Sequence, residues 1–176
     1  IEEIDKSVAG LFRFYFRRSW YQEGQETFGQ AAVQLDQAVG LEENERRLLL
    51  GKLWARQGVC LNYLASFSAG MELLRQSLAI LRQVGPAARA ETAFALMFLG
   101  DAAFDNCEYS QAIKWLRESL VICRETGDQW GLAFSLFMLD AVAYALGDYA
   151  EAKKLAQESL ASFTQFGDQW GIAFAQ

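Results

Sequence analysis

Apolar and polar residues alternate along this chain with the period of α-helices, and glycine interrupts the pattern at regular intervals. In residues 128–147, apolar side chains recur at spacings of three and four, which is the period of one helix face. Gly147 ends this stretch, and Asp148 with Glu151 forms a capping-box pattern that opens the next helix. Extended over the whole length, the pattern predicts an all-α chain with helices at 3–18, 21–38, 43–64, 67–84, 88–106, 109–126, 129–146 and 149–166, and a further one that begins at 169.

The predicted helices repeat in pairs. The segment GDQWGLAF at 127–134 returns 40 residues later as GDQWGIAF. Toward the N-terminus, the same pattern returns at an offset of 42 residues and then, in a more diverged form, at 46. Self-similarity at such a period is the signature of a repeat array. It predicts one repeat domain over 1–176, with repeats at about 1–42, 43–87, 88–127 and 128–167 and a partial repeat at 168–176.

Small and bulky residues alternate at fixed positions of each second helix. A small side chain at a crossing lets two helix axes approach to about 8–10 Å, so these positions predict antiparallel helix pairs that stack on their neighbours. The first small series is Gly24, Gly70, Ala112 and Ala152, the second is Ala31, Ser77, Ser119 and Ser159, and the bulky series is Tyr21, Phe67, Tyr109 and Tyr149.

This pattern resembles the tetratricopeptide repeat (TPR). The first helices carry a small residue at Gly58 and Gly100, and the second helices open on an aromatic residue. The chain departs from the family in three ways: its period is 40 residues rather than about 34, the closing proline is missing, and Asp140 stands where Gly58 and Gly100 stand. Longer units that end in Gly-Asp are similar to the TPR arrays of bacterial STAND signal-transduction ATPases, and also to eukaryotic polarity-complex TPR adaptors.

The resemblance implies a right-handed α-solenoid of TPR-like helix pairs that presents a surface to a protein partner. It favours the sensor or partner-binding region of a larger signalling or transcription-regulating ATPase, and a free-standing TPR adaptor is the alternative. Because the last unit stops partway through a first helix, we expect this sequence to be a piece of a longer array. An open end of that kind can also self-associate.

Composition removes several functional classes. The chain has no histidine, which excludes His-based nucleophile activation and His-ligated zinc. Its three cysteines (Cys60, Cys107 and Cys123) form no CxxC pair, so we expect reduced, mostly buried thiols and a cytoplasmic location. The most apolar stretch, 132–146, is too short to span a bilayer. No cofactor and no metal site is expected.

Charge is distributed unevenly between the two halves. Residues 1–90 hold 11 Lys and Arg against 10 Asp and Glu, whereas residues 91–176 hold 5 against 12. The acidic half argues against a general nucleic-acid-binding surface. Asp101, Asp105 and Asp140 are the only candidates for acid–base work, and nothing in the sequence supplies a nucleophile to accompany them. An enzyme or RNA binder is therefore disfavoured, and a non-catalytic interaction protein is expected.

In a TPR superhelix the first helix of each pair lines the concave face, so the resemblance also implies candidate partner-binding residues. The N-terminal half of that face would be basic, and the C-terminal half would be aromatic and Met-rich with two aspartates. Such a surface suits a peptide or protein segment with an acidic end and an apolar end, or a small effector. The alternative is that most of the aromatic residues pack in the core and that the cations are solvated. The candidates are Arg13, Arg17, Lys52, Arg56, Asn62, Tyr63, Phe94, Met97, Phe98, Asp101, Phe104, Asp105, Phe134, Phe137 and Tyr144.

Overall fold

The computed structural model describes residues 2–38 and 40–175, and it describes the side chains of all of them except 2–6, 36 and 174. Each predicted helix is present, and its ends lie within one residue of the predicted ones. The helices are α1 (Glu2–Arg17), α2 (Tyr21–Gln37), α3 (Glu43–Tyr63), α4 (Phe67–Val84), α5 (Arg89–Asp105), α6 (Tyr109–Thr126), α7 (Gln129–Ala145), α8 (Tyr149–Gln165) and α9 (Gln169–Phe174).

Between α4 and α5 the chain forms a short 3-10 helix, Gly85–Ala88. Pro86 stands at the start of this turn, where its missing N–H costs nothing because the first N–H groups of a helix have no partner within it. Apart from this turn, the described residues form helix pairs joined by two- or three-residue turns, together with the longer connection after α2. The prediction of an all-α fold built from repeated antiparallel helix pairs is confirmed.

The chain divides into two compact units, residues 1–91 and 92–176. The first holds α1 to α4 and the start of α5, and the second holds the rest of α5 and α6 to α9. The border falls four residues after the predicted boundary between the second and third repeats. The prediction of one repeat domain stays a prediction.

A residue with left-handed backbone conformation follows the first helix of every pair. Ser19, Ala65, Cys107 and Gly147 have φ values of 55°, 60°, 59° and 82°, and they stand at equivalent positions of the repeat. In the last of these turns, the Gly147 N–H donates to the Tyr144 carbonyl and the Asp148 N–H donates to the Ala143 carbonyl. This pair of bonds is a Schellman motif. The turn is thus kept in all four repeats, although only one of them has glycine there.

The second small series of each second helix does more than allow close approach. Ser77 Oγ donates to the Gly51 carbonyl at 2.7 Å, and Ser119 Oγ donates to the Ala93 carbonyl at 2.9 Å. Ser159 repeats this bond to a carbonyl of α7 at 2.9 Å. All three hydroxyls are fully buried and reach 26 residues back to the first helix of their own pair. Each helix pair of repeats two to four is therefore fixed by packing and by one hydroxyl-to-backbone hydrogen bond.

Glycine lets the helices of a pair touch. A Cβ at Gly58 would lie 2.8 Å from the Gly70 carbonyl oxygen, so α3 and α4 meet backbone against backbone. In the next repeat a Cβ at Gly100 would lie 2.5 Å from Cγ of Leu116. A larger residue at Gly58 would therefore push against the backbone of α4, and one at Gly100 would have to displace the Leu116 side chain.

Candidate partner-binding surface

The four predicted cations of the first unit fall into two groups. Arg13 and Arg17 are exposed on α1. Lys52 and Arg56 are only 6% and 4% exposed on α3. These two α3 cations are therefore internal, and we do not place them on the surface that meets a partner.

Glu91 explains why Lys52 and Arg56 can be buried. Lys52 Nζ lies 3.7 Å from Glu91 Oε1, and the Arg56 guanidinium bonds directly to Glu91 Oε2. Buried charges of this kind need a paired, hydrogen-bonded partner, and removing that partner is strongly destabilising. Sequence reasoning missed Glu91 because it lies 35 residues from Arg56, and no local motif joins the two.

Asn62 and Tyr63 end α3 but differ in access. Asn62 is 7% exposed and lies against Gly70, so it too is internal. Tyr63 is 41% exposed. Its ring stacks on Tyr21 at 4.9 Å between centroids and meets Phe16 edge-on at 5.2 Å. Tyr63 thus combines a fixed orientation with an accessible edge, as a contact residue requires.

Three of the predicted aromatic and Met residues of the second unit are buried. Met97, Phe98 and Phe134 are 1%, 1% and 4% exposed. Phe98 contacts Phe134 at 5.4 Å between centroids, which joins α5 to α7, and Trp130 stacks on Phe134 at 5.2 Å. For these residues the packing interpretation holds, because the first helices of neighbouring pairs meet through them.

The remaining candidates of the second unit are accessible. Tyr144 is 66% exposed and meets Tyr149, at the start of α8, edge-on at 5.3 Å. Phe104 lies 5.9 Å from Tyr109 in the equivalent turn of the preceding repeat. The half-buried candidates are Phe94, Asp101, Phe104 and Phe137, and Asp105 is exposed.

Two aspartates of this unit, Asp105 and Asp140, have raised pKa values. Partial desolvation raises the pKa of Asp105 and that of Asp140 above the ordinary value of 3.8. Asp101 and Asp105 stand one helical turn apart on α5, so they share one face. The second unit therefore presents carboxyl groups and aromatic rings on its first helices.

The arrangement offers little reactive chemistry. Burial raises the pKa of Cys60 to about 12 and that of Cys123 to about 11, so neither thiol is a nucleophile at neutral pH. The expectation of mostly buried thiols is confirmed, and Cys107 is the exposed one. As far as the described residues go, no three Asp, Glu or Cys side chains lie close enough together to hold a metal ion.

One exposed cluster escaped the sequence analysis. The Arg18 guanidinium lies 5.1 Å from the Phe14 ring centroid and 5.4 Å from that of Trp20, while the two rings meet edge-on. Phe14 and Trp20 are both 44% exposed. The cluster of Arg and aromatic residues at 13–20 could have revealed it, because Arg18 follows Phe14 by four residues, the spacing at which side chains meet along a helix.

Comparison with known proteins finds a family match over part of the chain. A family model for the tetratricopeptide repeat matches residues 91–165. No match to a curated protein sequence was found. None of the helices in the described part of the chain has the length and apolar character of a membrane span.

Several solved structures share the fold at low sequence identity. Aspartyl phosphate phosphatase F from Bacillus subtilis superposes with a TM-score of 0.76 at 13% identity, over 98% of this chain and 43% of that one. BtubC from P. vanneervenii gives 0.70 at 10% identity, over 98% and 77%. A Podosopora anserina protein with nearly identical TPR-like repeats gives 0.64 at 18% identity, over 97% and 84%. The chain thus spans less than half of the first of these proteins, and the likeness concerns the fold alone.

Proposed function

We propose that this chain, a tetratricopeptide-type repeat array by its fold and by the match over 91–165, is a non-catalytic scaffold for a peptide or protein segment. One observation carries the proposal. After the buried candidates are set aside, the first helices still present arginine, tyrosine, phenylalanine and aspartate side chains that no other element covers completely. These residue types supply contact area and charge pairing without chemistry.

In the first unit the proposed contacts are Arg13, Arg17 and Tyr63. The two arginines stand one helical turn apart on α1, and Phe16 on the same helix contacts Tyr63. Two guanidinium groups on one face bind carboxylates well, because each can donate two parallel hydrogen bonds. This unit would take the acidic part of a partner.

In the second unit the proposed contacts are Phe104, Phe137 and Tyr144, with Asp101 and Asp105 beside them on α5. The rings offer apolar area, and the carboxyl groups disfavour an acidic ligand. This unit would therefore take an apolar or basic part of the partner. A small effector in place of a peptide is an alternative that the experiment below distinguishes.

The setting that we propose is the sensor or partner-binding region of a larger signalling or transcription-regulating ATPase in the cytoplasm. The sequence resemblance supports it, and a free-standing adaptor is the alternative. The full-length gene decides between them, because the first requires a P-loop NTPase domain on the same chain.

The binding proposal is tested by selecting random 12-residue peptides displayed on phage against the immobilised chain. We expect selected peptides to carry Asp or Glu together with Leu or aromatic residues. A synthetic copy of the strongest one is then titrated calorimetrically against the double variant Arg13→Glu, Arg17→Glu. The expected loss is about tenfold or more, since one lost charge-assisted pair is worth about 1.4 kcal/mol.

The matched control is Arg75→Glu with Arg82→Glu, two exposed arginines of α4 in the same unit. It changes the net charge by the same amount and should leave the affinity within about twofold. Equal losses in the two double variants would reduce the effect to overall charge, and unchanged binding in the first would remove the arginines from the site. Failure to select any peptide, with binding of a small molecule instead, would favour the effector.

A further inference from the structure

A second groove lies on the first unit, between α2 and α3, away from the surface proposed above. Its volume is about 790 Å³, which is within the range of pockets that hold ligands. The described residues that line it include four glutamines and no charged side chain. They are Gly29, Gln30, Ala32, Val33, Gln34, Gln37, Leu50, Trp54 and Gln57.

The groove exists because its two helices, α2 of the first repeat and α3 of the second, depart from the later repeats at three positions. Where the fourth repeat has the buried residues Leu136 and Leu139, the second has the half-buried Trp54 and Gln57. Gly29 stands where the helix of the third repeat has Arg117. Without a side chain at Gly29, the Gln57 amide can lie against α2: its Nε2 would be only 2.5 Å from a Cβ there.

The equivalent groove of the second unit shows the effect of these changes. It is lined by Arg117, Leu136 and Leu139, together with charged residues of α6 and α8, and its volume is about 340 Å³. The groove between α2 and α3 thus has more than twice that volume, and its described lining carries no charged side chain.

The lining chemistry indicates the ligand. Within the described residues, the amides of Gln30, Gln34, Gln37 and Gln57 make no hydrogen bond to the protein, so each offers both a donor and an acceptor. Leu50, Val33 and Trp54 supply apolar area between them. Groups that both donate and accept, with no net charge, match this surface, because a charged ligand would lose water and gain no counter-charge.

The spacing favours an extended polypeptide. Gln30, Gln34 and Gln37 follow one face of α2 over about 10 Å, at 1.5 Å per residue. An extended peptide rises about 3.3 Å per residue, so about three of its residues fit along this row. Its backbone N–H and C=O groups would pair with the amides, and an apolar side chain would contact Trp54.

We propose that the groove between α2 and α3 binds an uncharged, extended peptide segment through the glutamine amides and Trp54. The lining of this groove shares no residue with the contacts proposed above, Arg13, Arg17 and Tyr63, so either proposal can fail without the other.

The test uses NMR of the 15N-labelled chain, in which glutamine side-chain amides and the tryptophan indole give separate signals. The probes are three blocked six-residue peptides with the same leucines, in which the intervening residues are serine and glutamine, all glutamate, or all lysine. We expect the neutral probe to shift the amide signals of Gln30, Gln34 and Gln57 and the indole signal of Trp54. At these signals the charged probes should titrate at least about tenfold more weakly than the neutral probe at low salt, whatever the glutamate probe does at Arg13 and Arg17.

The decisive variant is Gly29→Arg, which puts into α2 the side chain that the third repeat carries. It should reduce binding of the neutral probe at least about tenfold, while Gln157→Arg, at the equivalent exposed position of α8, should leave it unchanged. Gln30→Ala with Gln34→Ala, both exposed, tests the same point without filling the groove.

Three results would overturn the proposal. The first is equal binding of all three probes, measured at the groove's glutamine and Trp54 signals. The second is undiminished binding of the neutral probe by a folded Gly29→Arg chain. The third is a shift of the same signals when the protein alone is concentrated, which would make a second copy of the chain the occupant.

Discussion

The buried serines of the second helices allow a sharp test of how each repeat is fixed. Ser119 differs from Ser77 and Ser159 because it also accepts a hydrogen bond, from Ser135 Oγ at 3.2 Å. Ser135 is fully buried as well. Replacing Ser119 by alanine therefore removes one hydroxyl-to-carbonyl bond and also leaves the Ser135 hydroxyl without its acceptor.

The two effects have different sizes. A typical buried hydrogen bond contributes about 1 kcal/mol, and we expect Ser159→Ala to cost this much. The Ala133 carbonyl that loses the serine hydroxyl is a helical one, so it keeps its backbone N–H partner. A buried donor left without a partner adds about 1–3 kcal/mol. We therefore expect Ser119→Ala to reduce the free energy of unfolding by about 2–4 kcal/mol.

Urea unfolding followed by circular dichroism measures both variants, and Ser159→Ala is the matched control within the same unit. The double variant Ser119→Ala, Ser135→Ala should cost about 1 kcal/mol less than the sum of the two single ones, because it removes donor and acceptor together. Equal costs for Ser119→Ala and Ser159→Ala, or strict additivity in the double variant, would refute the reasoning.

Three further predictions concern single positions. Cys107→Gly should stabilise the chain by about 0.5–1 kcal/mol in thermal or urea unfolding, because it relieves a left-handed residue at some cost in chain entropy, and Gly147→Ala in the equivalent turn should destabilise it by a similar amount. Burial raises the pKa of Asp140, so the folded state holds its proton more tightly and the free energy of unfolding falls as pH rises from about 3.8 through the raised value. Urea unfolding at a series of pH values should show this fall, and Asp140→Asn should make it smaller. Glu91→Gln should cost about 3 kcal/mol in urea unfolding because it leaves two buried cations without their carboxylate, and a cost below 0.5 kcal/mol would contradict the ion-pair assignment.

The sequence was sufficient for the fold because the information for it is local and repeated. Helix ends follow from glycine, aspartate and the three-to-four spacing, and each occurs several times, so an ambiguous unit is corrected by its neighbours. The second small series of the second helices was predicted as well, although the hydrogen bonds of its serines were not. A hydroxyl that reaches 26 residues back cannot be inferred from size alternation alone.

The candidate surface was less predictable because the exposure of a side chain depends on which other helices of the chain pack against it. Lys52 and Arg13 are both basic residues of first helices, and nothing near either of them in the sequence distinguishes a buried cation from an exposed one. The difference is made by Glu91, which belongs to the following repeat. Likewise Phe98 and Phe104 lie on one helix, but only Phe98 meets a ring of α7. Long-range contacts therefore decided which candidates remained accessible.

Departures from the repeat separate packing from binding better than residue type does. Asp140 replaces the glycine of earlier repeats, yet Ala156 stands where Leu74 and Leu116 contact Gly58 and Gly100. The larger residue on one helix is thus matched by a smaller one on the other, which is the behaviour of a packing position. At Gly29 the Gln57 amide takes the space of the missing side chain, yet the groove that these residues line is still larger than its equivalent in the second unit. This departure is not compensated as the one at Asp140 is, and the proposal of a ligand groove between α2 and α3 rests on that difference.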